Sequence, residues 1–158
     1  MLIIDGTITS DITTFLKRLH EETDVRDIIT YTEWLNTHAD NHDNCLCIPH
    51  GIIYMRISPA IAHARITKQD LPENASITLQ ELEYHYEHQE KLFIEQRHLS
   101  PYLHNLPLLV LNGNVDFKTD FSQFYNHLFY IKKFLKDIED KKAMAQGTYE
   151  KKPHRHCC

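Results

Sequence analysis

The sequence predicts an α/β domain in which a short parallel sheet of about three strands is flanked by helices. Three apolar runs rich in β-branched residues, each bounded by Gly, Pro or Asn, are typical of buried strands: Leu2–Ile4, Ile52–Ile57 and Leu108–Leu111. Helical patterns separate these runs, and strands that alternate with helices favour a parallel sheet. The chain has 158 residues, which is enough for one domain with a hydrophobic core.

Five helices are predicted from apolar residues at helical spacing and from capping signals. Pro59 is suited to the first turn of the third helix. Thr78 and Glu81 form the capping-box pattern at the start of the fourth. The apolar faces of the first, second, fourth and fifth helices are marked, in that order, by Ile12, Phe15, Leu16 and Leu19, by Tyr31, Trp34, Leu35 and His38, by Leu79, Leu82, Tyr86 and Phe93, and by Phe121, Phe124, Tyr125, Leu128, Ile131, Leu135 and Ile138.

The apolar pattern ends at Lys141. We therefore expect a single domain over residues 1–140 and a polar, disordered tail over residues 141–158. Within the domain, the polar stretch Thr67–Ser76 is the best candidate for a lid-like loop.

Composition excludes some classes of function. The formal net charge of −5 gives no sign of nucleic-acid binding. No apolar run is long enough to span a membrane, and the N-terminus lacks the pattern of a signal peptide. The four cysteines form two close pairs, Cys45 with Cys47 and Cys157 with Cys158, which do not suggest a disulfide framework. We expect a cytoplasmic protein without a membrane anchor, since lipidation of the terminal pair needs a context that the sequence does not show.

The segment GTITSDITT, between LIID and FLKRLHEE, has the outline of a phosphate-binding loop, G-x-x-x-x-G-K-[ST] between a strand and a helix. Gly6 and Thr13 fit this outline. Asp11 and Ile12 stand where the second Gly and the Lys belong. An ordinary strand-to-helix connection with a Ser or Asp cap is the alternative interpretation.

Five segments, in family order, resemble the deoxynucleoside kinases, and together they cover most of residues 1–138. GIIYMRISPAIAHARI is similar to the family's fourth strand and following helix, and ITLQELEYHYEHQEKLF to the helix after its lid. LPLLVLNGNVDFKTDF is similar to the last strand and to the Asp-Phe turn that approaches the adenine of ATP. YTEWLNTHA resembles the Tyr-x-x-Trp helix, and the opening segment falls at the first strand, phosphate loop and first helix. The resemblance implies a reduced P-loop kinase-like three-layer fold.

The family's reaction is ATP-dependent phosphorylation of the 5′-hydroxyl of a deoxynucleoside. The resemblance assigns nucleotide binding, in degenerate form, to Gly6, Ser10, Thr13, Thr14, Arg65, Asp116 and Phe117. ATP with Mg²⁺ would be the cofactor of any retained activity.

The departures from the family predict that this activity is lost. The phosphate-loop Lys is replaced by Ile12, and the two lid arginines fall on Gln69 and Leu71. The eleven residues between Leu19 and Tyr31 are too few for the family's second and third strands, which carry its general base and its acidic-Arg-Ser motif. Phosphoryl transfer depends on positioning and on charge stabilisation. We therefore assign no catalytic residue and expect no cofactor.

These features predict a degenerate kinase-like protein kept for binding or interaction, with an unknown protein partner or by self-association. A minimal active kinase that uses Arg65 and a lysine such as Lys68 is the alternative. A weaker alternative is a metal-binding regulator, although solvated surfaces explain the same residues and we assign no metal site. The clusters in question are His38, His42, Cys45, Cys47 and His50, then Glu81, His85 and His88, and last His154, His156, Cys157 and Cys158.

The resemblance also predicts the order of the sheet. The first strand should lie beside Ile52–Ile57, with Leu108–Leu111 outermost. Loss of the second and third strands would leave the edge at Leu2–Asp5 uncovered, and an apolar edge invites pairing. We expect the segment TDVRDIITYTEW, the tail or a second copy to cover it. A shortened member of this kind is what we expect of a gene carried by a large DNA virus, which would place the protein in the host cytoplasm.

Overall fold

The computed structural model describes residues 2–6, 10–22, 28–39, 49–69, 76–99, 103–117 and 119–147. Within these ranges there are four strands and five α-helices, and two successive helices separate the last two strands. The elements are β1 (Leu2–Gly6), α1 (Ser10–Glu22), β2 (Ile28–Thr30), α2 (Tyr31–Ala39), β3 (Ile52–Arg56), α3 (Pro59–Gln69), α4 (Leu79–Gln89), β4 (Leu108–Asn112) and α5 (Phe121–Gly147).

The strands form one parallel sheet in the order β2-β1-β3-β4. Ile3 lies opposite Ile29 on one side and Ile52 on the other, and Ile53 lies opposite Leu109. The predicted α/β class is confirmed, as are the parallel sheet and the placement of β1 beside β3 with β4 outermost.

The sheet has four strands where about three were expected. The additional strand, β2, comes from the segment TDVRDIITYTEW and pairs with β1 along the edge that we expected to be covered. Its three residues are too short for a recognisable strand pattern. The next helix begins directly after it, where Thr30 and Glu33 form a capping box. The Thr30 N–H donates to Glu33 Oε2 at 2.8 Å, and the Glu33 N–H donates to Thr30 Oγ1 at 3.1 Å.

The sheet separates two hydrophobic clusters, because successive side chains of a strand point to opposite faces. One face carries Ile3, Ile52 and Tyr54, which pack with Trp34 of α2. The opposite face packs against residues of α1, α3 and α5. The buried members from the sheet and these helices are Leu2, Ile4, Ile53, Met55, Leu111, Phe15, Leu19, Ala62, Ile66, Phe124, Leu128, Ile131 and Ile138. This arrangement is the three-layer architecture that the resemblance implied.

The helix predictions are confirmed, with differences at the ends of α3, α4 and α5. The Thr78–Glu81 capping box is present, and α4 continues into a π-helical turn over Glu90–Ile94. The last helix extends through Gly147, beyond the boundary expected at residue 140. In the part of the chain that the structure describes, no helix is both long and apolar enough to cross a membrane.

Candidate functional site

The connections of the sheet diverge at the carboxyl ends of β1 and β3. The chain leaves β1 towards β2 on one side and leaves β3 towards β4 on the other. In open parallel sheets, ligands bind in the crevice that such a divergence leaves at the carboxyl ends of the strands. The topology therefore indicates a ligand site at the carboxyl end of β1.

A pocket of about 480 Å³ lies at this point, between the end of β1, the first turns of α2 and one side of α4. Its apolar wall consists of Leu35, Ile77, Leu82 and Leu92, with the ring of Tyr31. Its polar and glycine residues are Asp5, Gly6, Thr32, Ser76, Glu81, His85, His88 and Gln89. An apolar pocket with a few convergent polar groups is the usual form of a small-molecule site.

Asp5 precedes Gly6 at the end of β1, and it is one of the residues that line the pocket. One carboxylate oxygen accepts a hydrogen bond from the Gly6 N–H at 2.7 Å. Burial raises the pKa of Asp5 to about 6, and this bond opposes the rise only in part. Asp5 therefore carries a proton or a negative charge depending on pH within the physiological range.

Tyr31, the first residue of α2, lines the same pocket. Burial raises the pKa of Tyr31, and the nearby charge of Asp5 raises it further. Its phenol therefore stays protonated as a hydrogen-bond donor at neutral pH. Its ring packs against Trp34 and, edge to face, against Phe93, which fixes the ring as part of the wall.

A second polar cluster lies where β3 ends, centred on the carboxylate of Glu90 in the π-helical turn. The buried hydroxyl of Tyr54 donates to Glu90 Oε1 at 2.9 Å, and Arg56 forms an ion pair with the same carboxylate through two nitrogens. Arg56 Nε also donates to the Tyr86 hydroxyl at 3.1 Å. These bonds pair the charge of Arg56 within the protein.

The predicted phosphate-loop residues are only partly described. Gly6 ends β1 and lines the pocket, and Thr14 is half-buried within α1. Ser10 and Thr13 belong to the first turn of α1, and the placement of their side chains lies outside the described part of the structure. The loop residues 7–9 are also outside it.

The predicted residues of the second half lie on α3 and in the segment between β4 and α5. Arg65 of α3 donates from Nη1 to the Gly113 carbonyl at 2.8 Å and from Nη2 to the Asn114 carbonyl at 2.7 Å. Asp116 is exposed in the turn before α5, where its carbonyl accepts from two later amides. The Phe117 side chain is only 2% exposed and packs against Phe15 in the core, so it does not line a surface site.

The lid and the metal candidates are described in part. Thr67–Gln69, expected in the lid, belong to the end of α3, and residues 70–75 lie outside the described residues, as do residues 40–48 and 148–158. No group of three or more His, Cys, Asp or Glu side chains in the described ranges could hold a metal ion.

Sequence reasoning missed three of the groups in these clusters: Asp5, Tyr31 and Glu90. Asp5 carried a usable signal, since a carboxylate directly follows an apolar strand in LIID. The sequence pattern marks Tyr31 and Glu90 only as ordinary helix residues, because what they contact depends on tertiary packing.

Comparison with known proteins supports one relationship. No protein-family model matches the chain. Over 72 residues, the chain is 38% identical to deoxycytidine kinase 2 of Gallus gallus. The aligned part is 44% of this chain and 27% of that kinase, so the chain spans about a quarter of the relative's length. The sequence similarity and the short parallel sheet with flanking helices together support a deoxynucleoside kinase-like relationship.

Proposed function

We propose that this chain is a degenerate deoxynucleoside kinase-like protein that does not transfer phosphoryl groups and is kept as a binding or interaction protein. The observation that carries this proposal is the position of Arg65, the one family arginine that the sequence retains. Its guanidinium donates to two backbone carbonyls of the loop after β4. This arginine therefore has a structural role that needs no phosphate.

The residues at the phosphate loop support the same proposal. Ile12 stands where the resemblance implies a Lys, and Asp11 where it implies a Gly. A carboxylate at about 4 Å from a phosphate charge costs on the order of 4 kcal/mol at an effective dielectric constant near 20. Asp5 adds a second acidic group at the end of β1. Negative charge therefore replaces the positive charge that phosphoryl transfer requires.

The proposal is tested by restoring the loop. The variant Thr9→Gly, Asp11→Gly, Ile12→Lys loses a repulsive charge and gains a cation. We expect it to bind ATP at millimolar concentration or better, with a gain on the order of 4 kcal/mol over the wild-type chain. Calorimetry with ATP measures the gain. A matched variant with Ile12→Gln beside the two glycines separates the effect of the cation from that of the new backbone freedom.

A labelled-phosphate assay with ATP and each of the four deoxynucleosides tests catalysis separately. We expect no turnover by the wild-type chain or by the restored variant, because the segments that resemble the family contain neither its general base nor its lid arginines. Turnover by the wild-type chain would overturn the proposal in favour of a minimal active kinase.

A further inference from the structure

The pocket at the end of β1 combines an apolar wall with two acidic side chains. Its sides are hydrocarbon and aromatic, from residues of α2 and α4 and from Ile77. Its charged lining residues are Asp5 and Glu81, beside the two imidazoles His85 and His88. Among the described residues that line it, none is a Lys or Arg. A ligand that carries a phosphate or carboxylate would meet repulsion without a compensating cation.

Asp5 has one carboxylate oxygen that can accept a hydrogen bond from a ligand. The other oxygen accepts from the Gly6 N–H. No hydrogen bond to the remaining oxygen comes from the part of the chain that the structure describes. A partly buried acceptor without a donor is unfavourable, so a ligand that supplies an N–H or O–H there would gain more than it would from an exposed carboxylate.

The Glu81 carboxylate, unlike that of Asp5, accepts its hydrogen bonds at the start of α4. It accepts from the Thr78 N–H at 2.8 Å and from the Thr78 hydroxyl at 2.9 Å, in the capping box of α4. It therefore contributes negative charge to the pocket lining, and Asp5 is the more buried of the two carboxylates.

We propose that this pocket binds a small, planar, apolar molecule that carries a protonated amine, with the ring held between Tyr31 and the leucines and the amine donating to Asp5. The pocket volume of about 480 Å³ is within the range of about 300–1,000 Å³ that is usual for small-molecule sites. The inference deepens the proposed binding role and rests on it, but it does not depend on the phosphate loop.

The test uses three probes that share a phenol ring and differ in the charge of the tail: tyramine, tyrosol and 4-hydroxyphenylacetate, which are a cation, a neutral alcohol and an anion. Calorimetry at pH 7.5 with the full chain measures each. We expect tyramine to bind at least tenfold more tightly than 4-hydroxyphenylacetate, with tyrosol between them. Equal affinity for the three probes, or no binding of tyramine, would overturn the proposal.

Substitution of Asp5 locates the interaction. We expect Asp5→Asn to weaken tyramine at least tenfold and to change tyrosol by less than threefold, because it removes the charge and keeps the shape. Lys132→Ala, at an exposed position of α5 outside the pocket lining, serves as a control that leaves all three affinities unchanged. Tyramine binding that is indifferent to Asp5→Asn would place the amine elsewhere and contradict the proposal.

The pH dependence gives a second readout. Asp5 ionises with a pKa of about 6, so its charged fraction rises about tenfold between pH 5 and pH 7. Tyramine affinity should rise by the same factor, and tyrosol affinity should not.

The groups that share the pocket with Asp5 are Tyr31, Glu81, His85 and His88. A variant with His85→Gln and His88→Gln should keep the rise, and loss of the rise in that variant would assign it to the histidines and overturn the role of Asp5. The phosphoryl-transfer assay is independent of all these outcomes, so failure here and failure of the proposed function are distinguishable.

Discussion

Arg65 Nη1 donates to the carbonyl oxygen of Gly113 at 2.8 Å, and this bond joins α3 to the loop that follows β4. Nη2 of the same guanidinium donates to the neighbouring Asn114 carbonyl. The Ser58 N–H, just before α3, donates in turn to the side chain of Asn114 at 2.8 Å. The loop after β4 is thus held to α3 by charge-assisted bonds, which are stronger than neutral ones, and to the end of β3 by one neutral bond.

Replacement of Arg65 should therefore destabilise the fold. We expect Arg65→Ala to lower the free energy of unfolding by about 2 kcal/mol, since it removes bonds from a charged donor to two carbonyls. Urea denaturation followed by circular dichroism measures the change. Lys68→Ala, one turn later on the same helix and exposed, should change it by less than about 0.5 kcal/mol. An equally small effect of Arg65→Ala would mean that the guanidinium is free to serve another role.

The buried carboxyl of Asp5 should make stability depend on pH. Its pKa in the folded protein is raised from 3.8 to about 6, so the folded state binds the proton more tightly than the unfolded chain does. Stability is therefore greatest below the unfolded value and falls as pH rises through the interval from about 4 to 6.

The variant Asp5→Asn removes this dependence. It keeps an oxygen that can accept from the Gly6 N–H. At pH 8 we expect it to be more stable than the wild type by on the order of 2 kcal/mol, given about 1.4 kcal/mol for each pKa unit and some solvent screening. At pH 3.5 the two proteins should be equally stable. Thermal melts across this range test the prediction, and a difference that persists at pH 3.5 would mean that charge is not its cause.

The junction between β2 and α2 should depend on the Thr30 hydroxyl. That hydroxyl accepts from the Glu33 N–H at the start of the helix and donates to Glu33 Oε2. We expect Thr30→Ala to lower the free energy of unfolding by about 1 kcal/mol, the usual effect of losing an N-cap. Thr32→Ala, in the same turn with an exposed side chain, is the matched control and should have little effect. If the two variants behaved alike, the capping box would not stabilise this junction.

The sequence carried enough information for the sheet because its strands are continuous apolar runs. A strand that is buried on both faces must be apolar along its length, and this makes β1 and β3 conspicuous. The outer strand β4 is partly exposed but is still an apolar run. The segment Ile28–Thr30 has only two apolar residues and leads directly into α2. Only the expectation that the edge of β1 must be covered pointed to it.

The site was less accessible to sequence reasoning. The phosphate-loop outline predicts a site at Gly6 and the residues after it. The pocket instead includes the residue before it, Asp5. Tyr31 and His88 are far apart in the sequence and meet in one pocket only because α2 and α4 both flank the end of β1. Phe117 matched a family motif by its local sequence, but its burial is decided by contacts with α1 and α5. The single-domain boundary, the partner and the cellular location stay predictions.

The hydroxyl of Tyr54 and the carboxylate of Glu90 should be energetically coupled. Tyr54 is fully buried, and its pKa is raised far above the usual value, first by burial and then by the bond to Glu90. The hydroxyl is therefore a permanent donor, and it must keep an acceptor. We expect Tyr54→Phe to lower the free energy of unfolding by about 1 kcal/mol, since Arg56 still pairs with the carboxylate.

Glu90→Leu is the harsher change, because it leaves the buried hydroxyl without an acceptor and Arg56 without its carboxylate. We expect a loss of about 3 kcal/mol. In the double variant the unpaired hydroxyl is also gone, so the total should fall short of the sum of the single losses by about 1 kcal/mol. Tyr86→Phe is the control, since it removes a hydroxyl that contacts Arg56 but not Glu90 and leaves the buried pair intact. Urea denaturation of the four proteins completes the double-mutant cycle, and strict additivity would mean that the two groups do not stabilise the fold through each other.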